Sequence, residues 1–279
     1  MTLRQQLAQG DAIVRLAGAH NPMSARLVEE AGFGGVWVSS FELATSLGVP
    51  DADVLTWREL LQAASAITQC VSIPTVADCE AGFGGPAVMR ELATAYADAG
   101  VCAICVEDGA TPRRNSLLKG AHNLCDCSEF AAKVGAARAS SDKLMVIARV
   151  QSLVAETGLR DALARARAYV DSGADAIVIH SRSKEPDEVL RFIDAWDCAT
   201  PLVLIPTTYH KLNIAQASAS GKVRIVIYAN HGLRAAINGM KRAFRQIVAE
   251  NTAQGVESWI ASLDEAFALQ HEPHRGRDL

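Results

Sequence analysis

A chain of 279 residues with 49% hydrophobic residues can bury a large core, and this length suits one α/β barrel as well as two smaller domains. Lys+Arg number 27 against Asp+Glu 31, a formal net charge of −4 with the signs interspersed. That balance excludes a broad basic groove for nucleic acid and still allows a cationic pocket for a small anion.

The N-terminal MTLRQQLAQGDAIVRL lacks the apolar core of a secretory signal, and no run of about 18 apolar residues suggests a membrane span. The expected setting is cytoplasmic. In chain order, the apolar run AIVRL (12–16) predicts a first strand and MSARLVEEAGF a helix. GVWV (35–38) predicts a strand, WRELLQAASAITQ a helix, IPTVAD (73–78) a strand and PAVMRELATAYADAG a helix. AICVE (103–107) and LMVIARV (144–150) read as strands, followed by the helix LRDALARARAYVDSGA. AIVIH (176–180), PLVLI (201–205) and RIVIY (224–228) complete the strands, with the helix PDEVLRFIDAW after the first of these. Gly32, Gly100 and Gly173 stand where helix C-caps belong.

Eight apolar strands alternating with helices imply a parallel sheet covered on both faces. The expected architecture is α/β, a single-domain (β/α)8 TIM-type barrel over 1–279. Two extra helical stretches in 231–270 suit an oligomer contact. No G-x-G-x-x-G follows the first strand, which argues against dinucleotide binding. Cys102-x-x-Cys105 and Cys125-x-Cys127 raise a zinc site, but residues three apart on a strand point to opposite faces. Small buried thiols in a reducing compartment are the preferred reading.

Barrel enzymes carry their chemistry at the C-terminal ends of the strands. Those ends read Ala19-His20-Asn21, Trp37-Val38-Ser39-Ser40, Asp78-Cys79-Glu80, Glu107-Asp108, Arg149, His180-Ser181, Pro206-Thr207-Thr208 and Asn230-His231. Asp78, Glu80 and Glu107 come from adjacent strands, and carboxylates that converge repel unless a cation sits among them. Oxygen ligands without paired His or Cys favour Mg²⁺, with Mn²⁺ as the other option. Gly82 and Gly84 allow a tight turn beside them; capping of the next helix is the plainer role for the acids. Arg149 inside an apolar strand needs an anionic partner, either a barrel carboxylate or a ligand, and His180 offers a second donor. The segment 108–127 is long for a βα loop and carries Arg113, Arg114, Asn115, Ser116 and Lys119, the composition of a lid over an anion.

These residues resemble the isocitrate lyase/phosphoenolpyruvate mutase superfamily, and within it the phosphoenolpyruvate phosphomutase and phosphonopyruvate hydrolase branch. The segments that carry the likeness run from about Ala19 to Ala235 and include ADCEAGFG, VEDGATPRRNS, ARV, HSRSKEPDE, IPTTY and YANHGLRAA. The resemblance implies a barrel with a C-terminal helix exchanged between subunits of a homotetramer, a Mg²⁺-bound pyruvyl group and a phosphoenolpyruvate-like substrate. It makes Asp78 the direct metal ligand, with Glu80 and Glu107 holding the metal's waters, and Asp51 a further acid of the site. Trp37, Ser39, Ser40 and Phe41 match the segment around the pyruvyl carboxylate. Arg149 and His180 match phosphoryl binders, and Arg113, Asn115 and Ser116 the gating loop.

Asn115 matches the mutase lid, where the hydrolase has Thr; the lid lacks the Lys-Lys-Cys-Gly-His-type loop of the C–C lyases. Glu80, Gly109, Arg113, Ser40 and Gln151 depart from the usual Asp, Lys, Lys, Gly and Glu. The expected activity is interconversion of phosphoenolpyruvate and phosphonopyruvate. Phosphonopyruvate hydrolysis and cleavage of a 2-oxo or 2-hydroxy acid are the alternatives, with a ligand-binding protein that lost the chemistry as the non-enzymatic one.

Overall fold

The computed structural model describes residues 1–270 apart from Asp11, Arg114 and Lys119. Each of the eight apolar runs forms a strand: β1 Val14–Ala19, β2 Gly35–Val38, β3 Thr75–Asp78, β4 Ala103–Glu107, β5 Met145–Val150, β6 Ala176–Ile179, β7 Leu202–Leu204 and β8 Val223–Tyr228. They pair in sequence order, all parallel, and β1 closes on β8 through Val14–Ile225 and Leu16–Ile227. The result is an eight-stranded closed barrel. The first strand lies further along the chain than AIVRL suggests. It continues through Ala17-Gly18-Ala19 because that stretch pairs with Val36-Trp37-Val38. Gly18 is small of necessity there, since a Cβ would come within 2.2 Å of the Ala229 carbonyl oxygen. Cys102 falls just before β4 rather than in it.

The period-two alternation of the strands separates two cores. Leu16, Trp37, Val76, Cys105, Ile147, Val178, Val203 and Ile225 fill the barrel interior. Val36, Val38, Ala77, Ile104, Val146 and Ile177 face outward against helical residues such as Leu92, Tyr96, Phe130 and Tyr169. The helices are α1 Leu3–Ala8, α2 Pro22–Glu30, α3 Ser40–Leu47, α4 Trp57–Cys70, α5 Pro86–Asp98, α6 Cys127–Arg138, α7 Leu159–Asp171, α8 Asp187–Ala195 and α9 Ile214–Ser218. Side-chain caps set several starts: Asn21 and Ser24 form a capping box on α2, Thr56 and Glu59 another on α4. The helix over 40–47 follows β2 directly. Ser39 Oγ accepts from the Glu42 N–H and caps it.

The chain forms two compact units, Met1–Asn230 and a second that begins at His231. The barrel lies wholly in the first. The second contains α10 His231–Glu250 and α11 Leu263–Ala268. Within it, the Arg242 guanidinium stacks 4.0 Å over the Trp259 ring and Gln246 Nε2 donates to the Gly255 carbonyl at 3.0 Å. Met240, Phe244 and Val248 recur at every fourth position of α10 and are all exposed. Among the described residues no helix is long and apolar enough to cross a membrane.

Candidate active site

The strand alternation that packs the interior also builds the site. Two residues beyond Trp37, Val76, Cys105, Ile147 and Val178 come Ser39, Asp78, Glu107, Arg149 and His180, the next inward positions, at or just past the C-terminal end of each strand. A pocket of about 50 Å³ lies over them, lined by Trp37, Ser39, Phe41, Asp78, Arg149 and His180, with Ile205, Thr207, Ala229 and Asn230 opposite. Asp51, Arg113, Asn115, Ser116 and Leu117 complete its wall. His20 and Asn21, also at a strand end, serve the scaffold. His20 Nδ1 lies 2.9 Å from Glu42 Oε2, and Asn21 caps α2.

Asp78 and Glu80 do not cap the following helix, whose N-cap is Gly85 without a side-chain bond. Ser40 Oγ donates to Asp78 Oδ2 at 3.0 Å, so that hydroxyl is turned to the acid, and the Glu80 N–H donates to Asp78 Oδ1 at 3.2 Å. Glu80 has φ 49° and Gly82 φ 86°, a left-handed stretch that folds the chain back under the acids. A side chain at 82 would be strained and would drive a Cβ to 2.5 Å from Met89 Sδ.

The cation among the carboxylates is Arg113. Its Nε donates to Glu107 Oε1 at 2.9 Å and its Nη1 to Asp51 Oδ1 at 3.0 Å, with Glu80 Oε1 at 3.5 Å. Burial alone would raise the Glu107 pKa, but Arg113, Arg149 and the Gln151 amide hold it below the usual carboxylate range. Glu80 has less help. Burial, with Asp78 and Asp51 nearby, pushes its pKa up to about 9 against the pull of Arg113. Asp78 is raised by burial too, although Arg113 and Arg149 oppose it.

The four acids Asp51, Asp78, Glu80 and Glu107 face two guanidiniums, Arg113 and Arg149, so full ionisation leaves negative charge uncompensated. Glu80 Oε2 is buried without a partner. An all-oxygen donor set with an orphaned oxygen and surplus negative charge fits a hard divalent cation. Among the described residues no three His, Cys, Asp or Glu side chains form a direct ligand cluster. Such a cation would therefore touch few protein oxygens and keep waters, as Mg²⁺ does. Both oxygens of Glu107 are engaged, by Arg113 and by Gln151 Nε2 at 2.6 Å, and each oxygen of Asp78 accepts one neutral hydrogen bond, while Glu80 Oε2 accepts none.

At the other end of the pocket the donors outnumber their acceptors. Arg149 Nη2 donates to Ser116 Oγ at 2.9 Å and Nη1 stands 3.6 Å from Glu107 Oε2, but Nε is buried without a partner. His180 Nδ1, Thr207 Oγ1 and Asn230 Oδ1 are buried and unpartnered as well. Burial and the positive charge of Arg149 hold the His180 pKa well below the usual histidine range, so its ring is neutral at pH 7. Unmatched buried donors cost about 1–3 kcal/mol each, and a small anion would satisfy Arg149 Nε and the Thr207 hydroxyl, whereas Asn230 Oδ1 is an acceptor and calls for a donor. Thr207 and Asn230 stood in the sequence only as strand-end residues, with no role assigned to either.

The segment 108–127 closes over this pocket. Its base is a short antiparallel neck, where Gly109 bridges Leu124 and the Ala110 N–H donates to the Asn123 carbonyl at 2.9 Å. Asp108 anchors the neck, accepting from Tyr169 at 2.6 Å and from the Gln151 N–H at 2.8 Å; burial pushes its pKa up to about 6. At the tip, Asn115 Nδ2 donates to Asp51 Oδ2 and the Arg113 N–H donates to Asp53 Oδ2 at 2.7 Å. Arg182 holds the Gly120 carbonyl at 3.2 Å. Arg114 and Lys119, expected to add charge to the lid, lie outside the described residues.

Residues 3–248 match the family model described as phosphoenolpyruvate phosphomutase. The chain belongs to the phosphoenolpyruvate phosphomutase family. It is 42% identical over 96% of its length to the phosphonopyruvate hydrolase of Variovorax sp. (strain Pal2), covering 93% of that protein. The crystal structure of phosphoenolpyruvate phosphomutase from Streptomyces platensis subsp. rosaceus superposes with TM-score 0.93 at 40% identity, covering 96% of this chain and 93% of that one. A phosphonopyruvate hydrolase complex with oxalate and Mg²⁺ gives TM-score 0.90 at 40% identity, with 96% and 95% covered. The relatives are enzymes, and both a phosphomutase and a phosphonopyruvate hydrolase are found at 40% identity among the solved structures.

Proposed function

We propose that this protein is a Mg²⁺-dependent phosphomutase that interconverts phosphoenolpyruvate and phosphonopyruvate. The observation that carries the reading is the joint position of two halves of one site. An oxygen-rich acidic end at Asp78 and Glu80 faces a donor end at Arg149 and His180, under a lid that meets both. Asp78 would hold the cation directly, with Glu80 and Glu107 steadying its waters; Mn²⁺ meets the same requirements. When bound, the ion supplies positive charge against the enolate oxygen that develops as the phosphoryl group departs.

The chain's own residues would do the rest. The first turn of α3 offers free N–H groups beside Phe41 for the substrate carboxylate, at the positive end of a helix. The neutral His180 ring and the Arg149 fork would hold the phosphoryl group, which in transfer is metaphosphate-like and needs positioning and charge more than covalent help. Asn115 and Ser116 would bring the lid's amide and hydroxyl to that group. Closure of the lid would keep bulk water from the phosphorus while it passes between carbon and oxygen. Substitution Asn115→Ala tests the reading: turnover of phosphonopyruvate should fall by about 100-fold or more. Near-normal turnover would remove Asn115 from the mechanism.

Phosphonopyruvate hydrolysis is the second reading. The 42% identity to a phosphonopyruvate hydrolase favours it. A homotetramer with α10 exchanged between subunits would cover the exposed apolar stripe of that helix. All seven cysteines are free thiols, which suits a reducing compartment such as the cytoplasm.

A further inference from the structure

Outside the small closed pocket lies a second, larger cavity of about 430 Å³, between the lid and the ends of β4 and β5. Glu107, Gly109, Arg113, His122, Gln151 and Val154 are among its walls. It has about eight times the volume of the pocket over Asp78 and Arg149, and Arg113 lines both. Arg113 is thus the residue common to the larger space and the pocket where the phosphoryl group would be held.

Two residues open the chamber. At Gly109 an added Cβ would meet nothing nearer than Glu107 Oε1 at 3.4 Å, an ordinary contact, so the absent side chain is what leaves the space. Gly109 bridges Leu124 in extended backbone, a conformation that any residue adopts. Gln151 is the second. Its Nε2 is spent on Glu107 Oε2 at 2.6 Å, while its Oε1 is buried with no protein partner. An amide oxygen in that position calls for a donor, and water is the small molecule that provides one beside a carboxylate and a guanidinium of opposite charge.

We propose that this chamber feeds water past Arg113 to the phosphoryl group, giving the protein a hydrolytic activity that competes with the mutase reaction. The inference rests on the phosphoryl-transfer reading given above and adds its water source. In the step, the water oxygen bonds to phosphorus as the C–P bond breaks and its electron pair moves onto C3. The hydroxyl part of the water ends on phosphate and its remaining proton on C3, so phosphonopyruvate and water become pyruvate and inorganic phosphate. The chamber, rather than any single lid residue, sets the partition between the two outcomes.

The test is phosphorus NMR of the Mg²⁺-loaded protein with phosphonopyruvate, comparing the native chain with Gly109→Leu, which fills the chamber from one wall. Val154→Phe fills it from the other wall and serves if the first variant folds poorly. The native chain should release both phosphate and phosphoenolpyruvate. The phosphate-to-phosphoenolpyruvate ratio should fall about tenfold in a filled variant, a change of about 1.4 kcal/mol between competing barriers. Phosphoenolpyruvate as the sole product of the native chain, or an unchanged ratio with the chamber filled, would overturn the proposal and leave the transfer reading standing. Neither product from the native chain would overturn the transfer reading and this inference with it.

Discussion

Asp78 shows how one residue ties the acid cluster to its scaffold. It lies at the last inward position of β3, one oxygen held by the Ser40 hydroxyl and the other by the Glu80 N–H. Burial raises its pKa and that of Glu80, which is the unstable situation a divalent cation relieves. Metal binding should therefore stabilise the fold. At about 100 times its dissociation constant a ligand contributes about 2.7 kcal/mol, or about 5 °C in Tm for a protein of this size. Asp78→Asn should lose most of the Mg²⁺-induced rise in Tm, measured by scanning calorimetry; a full rise in that variant would take Asp78 out of the metal site. The acids, Arg149 and His180 were legible because a strand's period of two carries the inward face past the end of the strand. The same counting reaches Gln151, two residues beyond Arg149, and Thr207, two beyond Ile205. Asn230 gave no comparable signal, because a single Asn after a strand is as common in turns. Arg113 was legible as a lid cation, but not as the counter-ion of Glu107, Asp51 and Glu80. Its contact with Asp51 joins residues 62 positions apart, and only the closed barrel brings them together.

The lid and α10 are the elements whose surroundings decide their meaning. The lid was legible by its length and polar content between two strong strand signals. Its closure depends on distant partners, Asp51, Asp53, Arg149 and Arg182, none of them implied by local pattern. The helix over 40–47 was hidden because its residues SFELATSL follow a strand without a break; the Ser39 cap marks its start. α10 poses the opposite case, an evident helix with an unexplained face. Exposed Met240, Phe244 and Val248 leave apolar area in water, at about 25 cal/mol per Å². A second copy of the chain covering that stripe would account for it. Light scattering should then report a mass several times the 29.7 kDa of one chain. Phe244→Glu should shift the population toward smaller species, whereas an unchanged mass would place the subunit contact elsewhere.

At the scale of the whole molecule, the order of strand and helix signals was enough to specify a closed parallel barrel. Eight near-continuous apolar runs need a parallel sheet covered on both faces, which eight units in a chain of this length fit better as a barrel than as an open sheet, and the structure closes β1 on β8 accordingly. Strand ends shifted by up to three residues, the most at β1, where small residues that look unlike a strand are required by the close approach of Ala229. The barrel brings acids to one side of its mouth and donors to the other, and the lid bridges them. That division is the basis for assigning phosphoryl transfer rather than simple binding. The most direct measurement is phosphorus NMR of the purified protein with phosphonopyruvate and Mg²⁺. The account predicts a growing phosphoenolpyruvate resonance, accompanied by phosphate from the competing hydrolysis. Phosphate without phosphoenolpyruvate, or a phosphonopyruvate resonance that stays unchanged, would contradict it.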